Sequence, residues 1–537
     1  MVVIVTLLVM HVYWVLICFS VSKVYGYSDG RIRRFKDDFM FGASTAAYQV
    51  EGAWDLDGKG ESIWDRFLHQ NPEIIPDGEG GDEACDSYYN YKRDVEMLRE
   101  LGLDYYRFSI SWPRILPQGF ANNINKKGLE YYDNLIDELL KYDIKPMVTM
   151  FHFDLPQTLQ DLGGWANPNS VQWFEEYAKV IFKQYAHKVP YWITVNQPNF
   201  ICVDGYGGKE NAPGIGSSGI GDYMCIKNVM LAHAKAYRLY EKEYKKQFNA
   251  DVGISLALSW VDPLNNSTEN VEAADIYRDF TIAMYVNPIW SKEGDFPRTV
   301  KRRVLERSTA QGFPESRFPV LSPEEIQLLK GSADFMGVNH YTTFLVKPAE
   351  KQYQVPSFED DVNVTLTYRP EWKQAQSKWL RSAPYGIYKL CLYLNKEYDY
   401  PLMIITEHGW STKKVLKDRS RVRNMREFFK ALLLGIEDGA RVKGYTSWSL
   451  MDNVEWSAGT SERFGLYDVD FESSKKTRTA RLSALVYKRI IEQRIVEPHW
   501  IPNSLNISIT KRPNAQRNDI ESYFVFIINY LFKNILL

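Results

Sequence analysis

The sequence has no surplus of positive charge: 65 Lys and Arg stand against 67 Asp and Glu, a formal net charge of −2. Nucleic acid therefore has no electrostatic footprint to meet. Cysteine is scarce, 5 in 537 residues, so this is not a small scaffold stapled by disulfides. The 8 histidines never fall in a His-Glu-x-x-His spacing, and no metal site stands out. No tandem repeat, low-complexity tract or long linker divides the chain. The first β-rich run leads into Gly42-Ala43-Ser44-Thr45-Ala46-Ala47, which is not a Gly-rich nucleotide loop.

Aromatic side chains are plentiful, 14% of residues with 15 Trp and 35 Tyr. Rings in that number serve either for stacking on sugars or for a large aromatic core. The N-terminus is apolar from Val2 to Phe19, followed by the small residues Ser20, Ser22 and Gly26. It reads as a secretory signal peptide over 1–26, with a membrane anchor as the competing reading. Secretion leaves four cysteines besides Cys18, and four allow three full pairings. Cys202 and Cys225 flank one Gly-rich loop and are the candidate pair; buried thiols are the alternative. Sequons at Asn265, Asn266, Asn363 and Asn506 agree with a secreted glycoprotein. The end of the chain, Tyr523 to Leu537, is apolar but interrupted by Asn529, Lys533 and Asn534. It is short for a spanning helix, and no membrane partner is assigned to it.

Between these ends, β-rich runs alternate with helical ones. The strands expected are Phe39–Ala43, Tyr105–Ile110, Pro146–Phe151, Tyr191–Val195, Gly253–Leu258, Phe335–Asn339, Met403–Thr406 and Gly444–Ser449. Tyr88–Leu101, Lys127–Lys141, Val171–Tyr185, Asp222–Phe248 and Arg421–Glu437 carry apolar residues at three- and four-residue spacing, the period of an amphipathic helix. Eight strands with helices between them predict an α/β fold, a single (β/α)8 TIM barrel over 27–500, with 501–537 as an extension of unassigned role. A doubly wound open sheet is the runner-up.

Polar residues gather where these strands end. Arg107 lies in the second strand, His152 after the third, Asn196 and Gln197 after the fourth, Tyr341 after the sixth, Glu407 after the seventh and Trp448 in the eighth. Barrel strands converge at their C-terminal ends, where barrel enzymes do their chemistry. Glycosidic cleavage usually needs two carboxyl groups, and Glu407 is placed to be one of them. From that segment alone, a structural acid capping the next element is an equal reading.

Several segments then point one way. They are Phe41-Gly42-Ala43-Ser44-Thr45-Ala46-Ala47-Tyr48-Gln49-Val50-Glu51-Gly52, Tyr106-Arg107-Phe108-Ser109-Ile110-Ser111-Trp112-Pro113-Arg114 and His152-Phe153-Asp154-Leu155-Pro156. Thr194-Val195-Asn196-Gln197-Pro198, Asn339-His340-Tyr341, Thr406-Glu407-His408-Gly409 and Trp448-Ser449-Leu450-Met451-Asp452-Asn453-Val454-Glu455-Trp456 follow in the same order. The chain resembles glycoside hydrolase family 1, the β-glucosidases, lactase-like enzymes and myrosinases. The resemblance implies Glu407 as the nucleophile, held and aimed by Arg107 and Tyr341. It implies Gln49, His152, Asn196, Glu455 and Trp456 as partners of sugar hydroxyls, Trp448 as the floor under the sugar, Phe464 near its C6 end, and Trp379 at the aglycone entrance. The substrate class is a small-molecule β-glycoside, with glucose, galactose or fucose as glycone, and no cofactor is required.

One departure matters. The family's general acid/base is the glutamate of Asn-Glu-Pro, and here the segment reads Asn196-Gln197-Pro198. An amide has no titratable proton near neutral pH. General acid–base help is worth ~10²–10⁴-fold in rate. Phe153 (often Trp) and His408 (usually Asn) are smaller departures, and Asp204 is the next acid along. Three readings remain open. One is a thioglucosidase, as in plant myrosinases, which carry Gln here and use ascorbate as an external base; Lys209 is then the loop cation available to a sulfate. The second is an O-glycosidase restricted to activated glycosides or prone to transglycosylation. The third is an impaired, glycoside-binding barrel. Oligomeric state is not legible.

Overall fold

The computed structural model describes residues 33–509 except 76, 77, 79 and 351–354. The leader read over 1–26 and the apolar run from Tyr523 lie outside the described residues. Eight strands form a closed barrel: β1 (Met40–Ser44), β2 (Tyr105–Ser109), β3 (Lys145–Phe151), β4 (Tyr191–Asn196), β5 (Asp251–Ala257), β6 (Phe335–Asn339), β7 (Met403–His408) and β8 (Val442–Trp448). All neighbours are parallel, and β8 closes onto β1 with Ser44 opposite Trp448. The (β/α)8 barrel read from the sequence is the fold, with every strand boundary within two residues of its expected place. The strands were legible because both faces of a parallel sheet are covered, which makes each a short, nearly continuous buried run.

The main connecting helices are α1 (Ser87–Leu101), α2 (Lys126–Leu140), α3 (Ser170–Tyr185), α4 (Gly221–Glu243), α5 (Arg298–Ala310), α6 (Tyr385–Glu397), α7 (Arg419–Glu437) and α8 (Leu482–Gln493). The helix expected over Asp222–Phe248 breaks at Tyr244, where φ falls to −123°, and resumes as a short turn over Lys245–Phe248. Apolar faces of these helices and the outward strand residues make one large core. Inside the barrel, Met40, Tyr105, Met147, Tyr191, Ile193, Phe335 and Ile404 plug the end where the strands begin. The other end is left open for polar residues.

Two irregularities aim side chains at that open end. Strand residues alternate faces, and Ile404 belongs to the inner plug. Regular alternation would turn Glu407 outward with Ile405, which packs in the helix-facing core. The register of β7 against β6 shifts between Ile405 and Glu407, the effect a bulge has on side-chain direction. β4 shifts against β5 between Ile193 and Asn196 in the same way. Beyond β7, a Cβ on Gly409 would lie 2.1 Å from the carbonyl oxygen of Trp448. Only glycine fits that close crossing, which explains the residue after Glu407-His408.

Candidate active site

A cavity of about 650 Å³ opens at the C-terminal ends of the strands. Of the residues singled out in the sequence, His152, Asn196, Gln197, Tyr341, Trp379, Glu407, Trp448, Glu455, Trp456 and Phe464 line it. Arg107 and Gln49 stand directly behind. Arg107 Nη1 donates to Glu407 Oε1 at 2.6 Å, and the pair is 1% and 3% exposed. Tyr341 Oη donates to the other carboxylate oxygen at 2.8 Å. Burial and the neighbouring Glu407 carboxylate push the Tyr341 phenol well above its ordinary value. Tyr341 is therefore a permanent donor.

Arg107 also organises the wall. Its Nη2 donates to Asn196 Oδ1 at 2.7 Å, which accepts Asn339 Nδ2 as well at 3.0 Å. Asn196 Nδ2 faces His152 Nε2 at 3.0 Å. Burial, and then the Arg107 charge, hold His152 well below its ordinary range, so the ring is neutral. Its Nε2 accepts from Asn196 and its Nδ1 carries the proton. That Nδ1 is buried without a protein partner, as is Gln49 Oε1. Buried polar atoms are rarely left unpaired, and both of these lie in the layer beside and behind the cavity. Gln49 Nε2 donates to Glu455 Oε2 at 3.5 Å. Burial, then Glu462 and Glu407, push Glu455 up to about 8.

Gln197 sits over the nucleophile candidate. Its Nε2 donates to Glu407 Oε2 at 3.4 Å. Its backbone is left-handed at φ +43°, as are those of Phe153 at +75° and Trp456 at +50°. Such conformations cost roughly 1–3 kcal/mol each for non-glycine residues and gather at functional sites. Aromatic rings complete the walls: His152 stacks near Trp448 with centroids 5.7 Å apart, and Tyr341 meets Trp379 edge-on at 5.7 Å. Phe464 is buried at 2% exposure, whereas Trp379 is 45% exposed at the rim.

The family model described as glycosyl hydrolase family 1 matches residues 32–495. The chain belongs to that family. It is thus a glycosidase hydrolysing O- or S-glycosyl bonds. Myrosinase 1 of Brevicoryne brassicae is 42% identical over 461 residues, covering 85% of this chain and 98% of that protein. The human cytosolic β-glucosidase is 39% identical over 469 residues, covering 87% and 99%. Among solved structures, an aphid myrosinase superposes with a TM-score of 0.83 at 42% identity, covering 86% of this chain and 99% of that one. A Glu-to-Gln mutant of a rice β-glucosidase, in covalent complex with glucose, superposes at 0.80 with 35% identity, covering 85% and 99%.

Other features of this family 1 barrel were not read as site residues. Phe200, Tyr277, Phe344 and Glu462 also line the cavity. Asp204 does too, on the π-helical stretch Phe200–Gly207 that the Cys202–Cys225 disulfide ties to α4. The candidate cysteine pair is thus bonded, and Cys85 and Cys391 are buried thiols. The flanking cysteines were the one sequence signal that this loop is fixed. Lys209 is exposed and does not line the cavity. His408 faces away from it, stacking on Phe428 at 3.6 Å and pairing with Tyr445 Oη at 2.8 Å.

Proposed function

We propose that this protein is a retaining β-glycosidase in which Glu407 is the nucleophile and Gln197 leaves the departing group unprotonated. In the first step a Glu407 oxygen bonds to the anomeric carbon, and the C1–O or C1–S bond breaks with its electron pair leaving on the aglycone. In the second, water or another acceptor hydroxyl attacks the same carbon and frees Glu407. The released proton goes to solvent or an added base, since the Gln197 amide cannot take it. The observation that carries this reading is a carboxylate clamped between Arg107 and Tyr341 with an amide 3.4 Å away in the same cavity. The rice Glu-to-Gln mutant held covalently to glucose is in keeping with such a division of steps. Activated O-glycosides and thioglucosides are the substrates that tolerate it, and transglycosylation is its natural side reaction. The disulfide and the exposed sequons at Asn265, Asn266 and Asn506 support a secreted setting.

The test is a rapid-mixing assay with 2,4-dinitrophenyl β-glucoside. It should show a burst of dinitrophenol, a glucosyl adduct on Glu407 by mass spectrometry, and faster turnover with azide or ascorbate. Absence of both burst and adduct, with glucoside binding retained in calorimetry, would replace this reading with that of a glycoside-binding barrel.

A further inference from the structure

The outer part of the cavity differs in charge from the inner part. Glu407 is neutralised by Arg107. Among the described residues, no Lys or Arg lies within ion-pair distance of the cavity-lining carboxyl groups of Asp204 or Glu462, and Glu455, pushed up to about 8, adds no charge near neutral pH. Glu462 is bonded instead by the Ser377 hydroxyl. Nor does any described Lys or Arg line the cavity. Around Asp204 the wall is aromatic. Burial, then Tyr368 and the nearby Asp204 charge, raise the Tyr277 phenol, and Phe344 packs on Tyr368 with centroids 5.4 Å apart. Tyr368 Oη donates to the Trp379 carbonyl at 2.9 Å, which joins Phe344 to the exposed rim ring. Asp204 reaches the exposed rim, yet desolvation and then the Glu359 charge push it up to about 7; a cation beside it would restore its full charge, and aromatic faces attract cations.

From these features we infer that the aglycone subsite between Asp204, Tyr277, Phe344 and Trp379 takes a flat aglycone bearing a positive charge, such as an aryl ammonium, and disfavours a sulfated or sulfonated one. This rests on the glycosidase reading only in placing the sugar at the inner end. It narrows the thioglucoside option to compounds without an anionic group on the aglycone.

Binding of three uncleavable aryl C-glucosides, measured by calorimetry on the full chain, tests it without needing turnover. The aryl groups carry trimethylammonium, hydroxymethyl or sulfonate at the same position. The cationic compound should bind at least ~10-fold tighter than the sulfonate, with the neutral one between, and Asp204→Asn should shrink that spread to ~3-fold or less. A sulfonate that binds as tightly as the cation would overturn the inference and leave the glycosidase reading standing. An undiminished spread in Asp204→Asn would also overturn it, because the selectivity would then arise elsewhere. Failure of all three to bind would overturn the inference, while the burst and the Glu407 adduct decide the glycosidase reading separately.

Discussion

Replacing Gln197 by glutamate exchanges one amide NH2 for one oxygen at constant size. The exchange turns a donor 3.4 Å from Glu407 Oε2 into a second carboxyl group. Were both ionised, two like charges at that separation would repel by ~5 kcal/mol at an effective dielectric of 20. Arg107 on the far oxygen takes up part of this. Half of it still lifts the new carboxyl from ~4.3 to ~6, since each ~1.4 kcal/mol shifts a pKa by one unit, so a usable fraction carries a proton near pH 6 to 7. That proton is the one the leaving oxygen lacks. The expected gain for glucosides with poor leaving groups is ~10²–10⁴-fold in kcat, or roughly 3–5 kcal/mol of barrier. Steady-state rates on a series of aryl β-glucosides measure it directly. In the wild type, the glycosylation rate should depend steeply on leaving-group acidity; in Gln197→Glu the dependence should flatten and azide should no longer help. A folded variant with wild-type rates and a wild-type leaving-group slope would refute the assignment of position 197 to proton transfer.

Glu407→Gln should lose at least ~10⁴-fold in activity, as removal of a nucleophile does elsewhere, and mass spectrometry should find no glycosyl adduct on the protein. Glu455 is pushed up to about 8, chiefly by burial and then by Glu462 and Glu407, against ~4.3 in an unfolded chain. The folded state therefore keeps a proton that the unfolded state has lost, and stability falls as pH rises between those values. Glu455→Gln should flatten that fall by up to ~3 kcal/mol in urea unfolding from pH 5 to 8.5; an unchanged slope would show that Glu455 is not its source. The Cys202–Cys225 bridge spans 23 residues, and opening a loop of that size costs ~3 kcal/mol by chain entropy. A Cys202→Ala, Cys225→Ala double variant should unfold at a lower temperature and bind aryl glucosides less tightly than glucose itself would suggest, read by calorimetry against both ligands.

The barrel was legible because its strands are short buried runs with polar residues clustered at one end. Arg107, Asn196, Tyr341 and Glu407 lie in or just after such runs, so their meeting follows from convergence of the strands. The aim of Asn196 and Glu407 was not legible, because it depends on register shifts against neighbouring strands. The outer wall of the cavity was not legible either. Asp204, Tyr277 and Phe344 lie on a π-helical loop, a helix and an accessory strand whose positions come from tertiary packing rather than from periodicity. Gln197 was recognised from its motif, but its left-handed backbone and its hydrogen bond to Glu407 belong to the folded chain alone.

Closure of β8 onto β1 joins Met40 to Gly444 and Ser44 to Trp448. At ~5–20 residues per second of synthesis, the first strand leaves the ribosome roughly 20–80 s before the partner that seals its free edge. A nascent chain stopped short of β8 has an unsealed β1 edge and also lacks Trp448 and Glu455, which line the cavity. Ring closure and completion of the cavity lining are therefore one late event, and a truncated product would be sticky and inactive at once.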